Sequence, residues 1–171
     1  LVEAGRGFAI LNDSKYGVDV LDNNINLTLL KSPLAPDMTA DRGRQEFTYA
    51  FYFWDSPFIE SGVVQQGYEL NLSPLELAGS AESQSLFRLN RANIILETVK
   101  PAEDGSGDII LRLYESMSTR TCVDLEISLP VKAVQLTNML EEPKAELAIN
   151  NQTVQLEFGP FEILTLRLEM A

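Results

Sequence analysis

Apolar and polar residues alternate with a period of two over most of this 171-residue chain, the signature of strands that bury one face. Over residues 121–129, Val123, Leu125, Ile127 and Leu129 share one face while Asp124, Glu126 and Ser128 share the other, which predicts a half-buried antiparallel strand. Residues 108–115 set Ile109, Leu111 and Leu113 against Ile110, Arg112 and Tyr114 and predict a second strand. A third lies at 94–100, and the run 101–107, with Asp104, Gly105 and Gly107, suits the reversal that joins the two into a hairpin. Leu147 and Ile149 precede Asn150, Asn151 and Gln152, after which Val154, Leu156 and Phe158 alternate with Gln155 and Glu157. Asparagine tolerates the left-handed backbone of a tight hairpin. Gly159-Pro160 then breaks the ladder before 161–170, where Leu164, Leu166 and Leu168 share a face.

The front third follows the same rule, with strand-like pieces at 8–11, 18–21 and 25–30. Residues 46–54 are the most aromatic stretch: Phe47, Tyr49, Phe51 and Phe53 face one way, Tyr52 and Trp54 the other. A strand with so many rings reads first as core. Residues 61–90 are rich in Pro, Gly, Ser and Glu and read as an irregular connection, 73–80 above all. Helical periodicity holds nowhere over twelve residues; the nearest approach, 136–142, is too short to form a predicted helix. The predicted fold class is therefore all-β, an antiparallel β-sandwich with at most one short helix. Its expected parts are a sheet portion at 1–60, the connection at 61–90 and a sandwich portion at 91–171.

Composition narrows the function. With 13 Lys and Arg against 25 Asp and Glu, the net charge is -12, and such a surface repels phosphate backbones, so no nucleic-acid partner is expected. No apolar run is long enough to cross a bilayer as a helix, and no membrane partner is expected either. Cys122 is the only cysteine, which excludes an internal disulfide or a thiolate metal cluster and gives no reason to expect an oxidising compartment. The chain opens on Leu1 rather than Met, with no run of signal-peptide length, and reads as a piece of a longer polypeptide.

The chain has no histidine, which removes the commonest general base and most metal sites. No metal site and no cofactor are expected in it. Carboxylates remain, and a glycosidase needs two across a cleft, but spacing singles out none of the 25. Gly5-Arg6-Gly7 and Gly105-Ser106-Gly107 neither open a helix nor precede Lys-Ser/Thr, so they read as turns rather than phosphate loops. Asn-x-Ser/Thr triplets begin at Asn12, Asn26, Asn71 and Asn151, and without a secretory signal they carry no weight. Tyr49, Tyr52 and Trp54 are of the type that stacks on sugar rings, with a core role as the plainer reading.

Three stretches carry a likeness. Residues 7–17 contain Leu11-Asn12-Asp13-Ser14-Lys15-Tyr16-Gly17, which resembles the Leu-Asn-Asp-x-Lys-Tyr-Gly signature in the carboxy-terminal region of family 38 α-mannosidases. Residues 29–37, ending Pro33-Leu34-Ala35-Pro36-Asp37, continue through Asp41-Arg42-Gly43 to the aromatic strand and are similar to that family's next blocks. The third stretch joins 97–103 and 110–115 and is followed by a closing block at 160–166. The likeness is nearest the cytosolic type, so a cytoplasmic location is expected. Ser14 stands where the family commonly has Cys, and Gln45 where it has His.

This resemblance implies a supersandwich-like, non-catalytic region that packs on the catalytic domain of the same polypeptide. It also implies retaining hydrolysis of α-mannosides by the parent enzyme. The family's zinc, held by His and Asp in an amino-terminal catalytic domain, is implied only for that parent. Two loops are the expected substrate rim: Asp13, Lys15 and Tyr16 in one, Asp41, Arg42 and Glu46 in the other. Plain turn chemistry would equally explain Asp13 and Asp41. A free-standing carbohydrate-binding module is the alternative, discriminated by whether Tyr52 and Trp54 face solvent as coplanar rings. A homo-oligomer is compatible with either.

Overall fold

The computed structural model describes residues 2–3 and 5–171, so Leu1 and Ala4 of the expected sheet portion lie outside the described residues. The chain divides into two compact units, 1–76 and 77–171. Each is built from antiparallel strands, with one short helix in the first, in agreement with the predicted fold class.

In the first unit, β1 (Val2–Glu3), β2 (Arg6–Asn12) and β5 (Tyr49–Trp54) form a sheet in the order β1-β2-β5. Separate from it, β3 (Val18–Leu21) and β4 (Asn24–Leu27) pair as a hairpin. Sequence pattern extended the latter strand to residue 30, but it ends at Leu27, and Leu30 is exposed. Helix α1 (Val63–Asn71) occupies part of the stretch expected to be irregular. Its nine residues carry Gly67 near the middle and start from Gly62 in the left-handed region, so it shows neither strong propensity nor an N-cap side chain. Gln65 and Gln66 reach Glu69 at 3.1 and 2.7 Å, and Asn71 Nδ2 donates to the Asn12 carbonyl at 3.2 Å. Tertiary contact rather than amphipathic periodicity defines this helix.

The second unit is a sandwich. One sheet runs β11-β10-β14-β8-β7 and the other β12-β13-β9-β6. The strands are β6 (Phe87–Leu89), β7 (Ile94–Pro101), β8 (Ile109–Glu115), β9 (Thr121–Ile127), β10 (Val131–Thr137), β11 (Pro143–Leu147), β12 (Ile149–Asn150), β13 (Thr153–Phe158) and β14 (Ile163–Met170). Inward residues of both sheets meet in one core: Leu111 and Leu113, Val123, Leu125 and Ile127, Val154, Leu156 and Phe158, Leu166 and Leu168. The alternation read from β9 and β13 is the burial observed there. The expected hairpins also form: Ala102 N–H donates to the Asp108 carbonyl at 2.9 Å beneath Gly105 and Gly107, both with positive φ. Asn151 and Gln152 take φ of 47° and 65°, as a two-residue hairpin loop requires.

Residues 136–142, the nearest approach to a helix, instead end β10 and turn. Asn138 Oδ1 accepts from the N–H groups of Leu140 and Glu142 at 2.9 and 3.0 Å. The pattern missed β10 because a register shift between Val131 and Ala133 interrupts the alternation. It also missed two of the edge strands: β6 is only three residues long, and β11 is exposed at all but its last residue and carries Pro143, Lys144 and Glu146.

Glu115 is fully buried in this unit. Its carboxylate accepts from Asn93 Nδ2 at 2.9 Å and from the N–H groups of Met117 at 2.8 Å, Phe161 at 3.0 Å and Thr119 at 3.1 Å. Burial opposes its charge, but the donors outweigh burial and hold the carboxyl below its ordinary value. It fastens the β8–β9 and β13–β14 turns. Arg167 does the same for the β7–β8 turn, meeting Asp104 and Asp108 at 2.7 Å each. Asp104 is held down to about 2, first by the Ser106 N–H, then by the Ser106 hydroxyl and Arg167.

Candidate functional site: a loop cluster and an aromatic face

The two loops expected at a substrate rim are joined through β2 and β5. Asp13 follows β2, and its N–H donates to the Thr48 carbonyl at 3.2 Å while its carboxylate accepts from Thr48 N–H at 2.8 Å. The Ser14 hydroxyl, 2.9 Å away, is the main cause of a lowered Asp13 pKa, opposed by desolvation and helped by Thr48. Lys15 is anchored by its N–H to Asn12 Oδ1 at 2.6 Å, and its ammonium sits 4.8 Å from the centre of the Phe47 ring. Asp41, at a φ of 63°, accepts from the N–H groups of Ser32 at 2.9 Å and Lys31 at 3.0 Å. These bonds lower its pKa, with a smaller electrostatic contribution from Lys15.

Asp13 and Asp41 thus each hold loop backbone, and the Lys15 ammonium, over Phe47, links its loop to that of Asp41 electrostatically. Tyr16 is 92% exposed. Arg42 donates its N–H to the Thr39 carbonyl at 3.1 Å and leaves its side chain exposed. Glu46 pairs with Arg44 on the surface and does not join the cluster. Among the described residues no three His, Cys, Asp or Glu side chains gather as a metal site, so the donor set does not fit zinc.

The larger feature lies on the neighbouring sheet. Cross-strand partners share a face, so Phe8 opposite Phe53, Ile10 opposite Phe51 and Asn12 opposite Tyr49 lie together. Ring centroids are 5.0 Å apart for Phe8 and Phe53, 5.8 Å for Phe8 and Phe51, and 6.0 Å for Tyr49 and Phe51. Contrary to the core reading of this strand, Tyr49, Phe51 and Phe53 are 48, 60 and 71% exposed. Alternation was right about which rings share a face; on β2 that face is half-buried, Phe8 and Ile10 lining an apolar slot with hairpin β3–β4, while among the described residues nothing covers the rings of β5. Tyr49 and Phe51 meet edge-on at 72°, which is no flat platform for a sugar ring.

On the opposite face Tyr52 and Trp54 are half-buried and tilted 30° to one another, and Tyr52 donates to the Ser61 carbonyl at 2.6 Å. Trp54 lies across Gly7, where any Cβ would collide with the indole. It also lines an apolar slot of about 390 Å³ that reaches both faces of β2, with Phe8 and Ile10 from the aromatic face and Val20, Leu27, Phe58 and Val63, and its Nε1 is buried without a hydrogen-bond partner among the described residues. Sequence reasoning did not find the slot, because it arises where hairpin β3–β4 and α1 approach β2, a proximity with no local signal.

Residues 93–166 match the glycosyl hydrolases family 38 C-terminal beta sandwich domain, and residues 1–39 match the glycosyl hydrolases family 38 C-terminal domain. The chain is 40% identical to Alpha-mannosidase 2C1 of Homo sapiens and 38% identical to that of Mus musculus, each alignment taking in 98% of this chain and 17% of the relative. With Alpha-mannosidase G of Dictyostelium discoideum the identity is 35%, over 98% of this chain and 16% of the relative. The chain therefore spans about a sixth of the length of these relatives. The two matched domains, in this order and on the two structural units, show that the chain belongs to the carboxy-terminal region of glycosyl hydrolase family 38.

Proposed function

We propose that this chain is the non-catalytic carboxy-terminal β region of a cytoplasmic α-mannosidase, and that it docks on and supports the catalytic domain of the same polypeptide. The observation that carries this reading is the aromatic face: Phe51 and Phe53 stand largely in solvent, whereas the two sheets of the second unit bury their apolar faces against each other. Exposed apolar patches of this kind mark interaction surfaces. The half-buried, tilted Tyr52 and Trp54 and the edge-on outer rings give no support to a free-standing sugar-binding module. Hydrolysis of α-mannosides, and the zinc that serves it, belong on this reading to the catalytic domain, since the described residues bring no zinc-binding set.

The test is a double substitution, Phe51→Ser with Phe53→Ser, made both in the full-length enzyme and in the 171-residue chain. The full-length protein is expected to lose several degrees of Tm, while the short chain, in which these rings are already exposed, changes little. An unchanged Tm in the full-length protein would overturn docking by this face, and turnover of an aryl α-mannoside by the pure short chain would overturn its non-catalytic role. Within this reading the rim role rests on the exposed Tyr16 and Arg42 and on Lys15, whereas Asp13 and Asp41 hold turns. Arg42→Ala is expected to lower kcat/KM with Tm unchanged; Asp13→Ala, which frees the Thr48 N–H, is expected to lower Tm.

A further inference from the structure

We infer that the outer edge of β5 is a strand-addition site, completed by an extended segment of the α-mannosidase polypeptide from outside these residues. The inference rests on the docking reading above and specifies how that docking is made. β5 is the last strand of its sheet, paired with β2 on one side and with nothing among the described residues on the other. The direction of its free groups follows from the register. Asp13 N–H bonds to the Thr48 carbonyl, so these opposed residues form a hydrogen-bonded pair, and in an antiparallel ladder such pairs alternate. Ala50 with Leu11, Tyr52 with Ala9 and Trp54 with Gly7 are then the bonded pairs, and the N–H and C=O groups of Tyr49, Phe51 and Phe53 point away from β2. The Asn12 carbonyl, which the same rule directs outward from β2, accepts from Asn71 Nδ2 as expected.

The residues with outward backbone groups are therefore the ones with exposed rings. A strand laid along this edge would satisfy the main-chain groups and set every second side chain against the aromatic face, which is how strand addition joins affinity to specificity. The fitting partner is an extended run of about five or six residues with apolar side chains at alternate positions.

Several observations choose the occupant. Sheets of one or two real strands are marginal alone, and β1 reaches only Arg6 and Gly7. Edges left open in native proteins are blunted by Lys, Pro or a bulge, but Tyr49–Trp54 has none of these, and its register to β2 is continuous. The relatives carry roughly five times as much additional chain, an ample source of strands. A second copy of this chain is disfavoured by a net charge of -12 and by Glu46, Asp55 and Glu60 flanking the strand.

Residue-resolved hydrogen exchange on the full-length enzyme tests this. The amides of Phe51 and Phe53 are expected to exchange within about tenfold of the ladder amides of Ala50 and Tyr52. Phe51→Pro, which removes an outward N–H, is expected to lower the Tm of the full-length enzyme more than Phe51→Ala, which removes only the ring. Fast exchange at Phe51 and Phe53 beside protected Ala50 and Tyr52 overturns strand addition. If hydroxyl-radical footprinting then finds the Tyr49 and Phe53 rings covered, docking survives by another mode; if it finds them open, the docking reading falls too. Protection that vanishes on dilution assigns the edge to a second copy and also overturns the inference.

Discussion

The two units handle the same raw material in opposite ways. Every apolar side chain that is buried among the described residues belongs to the second unit, whereas in the first only Ser61 is buried to that degree. Both are antiparallel and both alternate, so the difference is not in the strands. It lies in what faces them. In the second unit two sheets of five and four strands close on each other and exclude water from Leu125, Phe158 and Leu166. In the first, a sheet with two full strands is joined only by a helix and a two-stranded hairpin, which half-bury Phe8 and Ile10 but leave the rings of Phe51 and Phe53 open among the described residues. A strand pattern promises a buried face; it does not say which element will bury it.

The sharpest way to break this comparison is to cut matched phenylalanines in the 171-residue chain and follow urea unfolding. Phe158→Ala removes a fully buried ring between the sheets and is expected to cost about 3–5 kcal/mol. A cost below about 1 kcal/mol would mean that the second unit lacks the rigid core described here.

A smaller effect is expected at Glu115. Glu115→Gln sets an amide NH₂ against backbone N–H groups that now donate to a carboxylate, at an expected cost of about 1–3 kcal/mol near neutrality. Because the native-state pKa is lowered, the stabilisation is complete above the ordinary carboxyl value of about 4.3 and is lost as pH falls through the lower, folded value. The gap between wild type and variant should therefore close on acidification below about pH 4. A gap that stays constant would show that the carboxylate charge is not what the turns depend on.

The smallest effect belongs to the first unit. Phe51→Ala, at a ring already 60% exposed, is expected to change the stability of the short chain by no more than about 0.5 kcal/mol. A loss approaching that of Phe158→Ala would dissolve the contrast between the units.

Legibility followed the same division. β9 and β13 could be read almost residue by residue, since each lies between neighbouring strands and hides one face, which imposes strict alternation; β8 was legible too, although it buries Ile110 on the face opposite Leu111 and Leu113. β10 escaped because a register shift disturbs its period, β6 because it is only three residues long, and β11 because it is exposed along most of its length. Helix α1 escaped because nine residues around Gly67 have little intrinsic preference to reveal. At the loops, Asp13 and Asp41 bond to loop backbone, as plain turn chemistry allows, but the bond from Asp13 to Thr48, 35 residues away, is a tertiary fact.

What the sequence determined by itself was the all-β class, the hairpins at Gly105 and Asn151, and the resemblance to family 38, because turn chemistry, alternation and motif order are local properties. What only the tertiary structure decided was which alternating face found a partner. The rings of Phe51 and Phe158 sit in equally good strands, and one is covered while the other is not. Burial is a relation between distant segments, set by how sheets meet, and residues 49–54 carry no record of what will lie across from them.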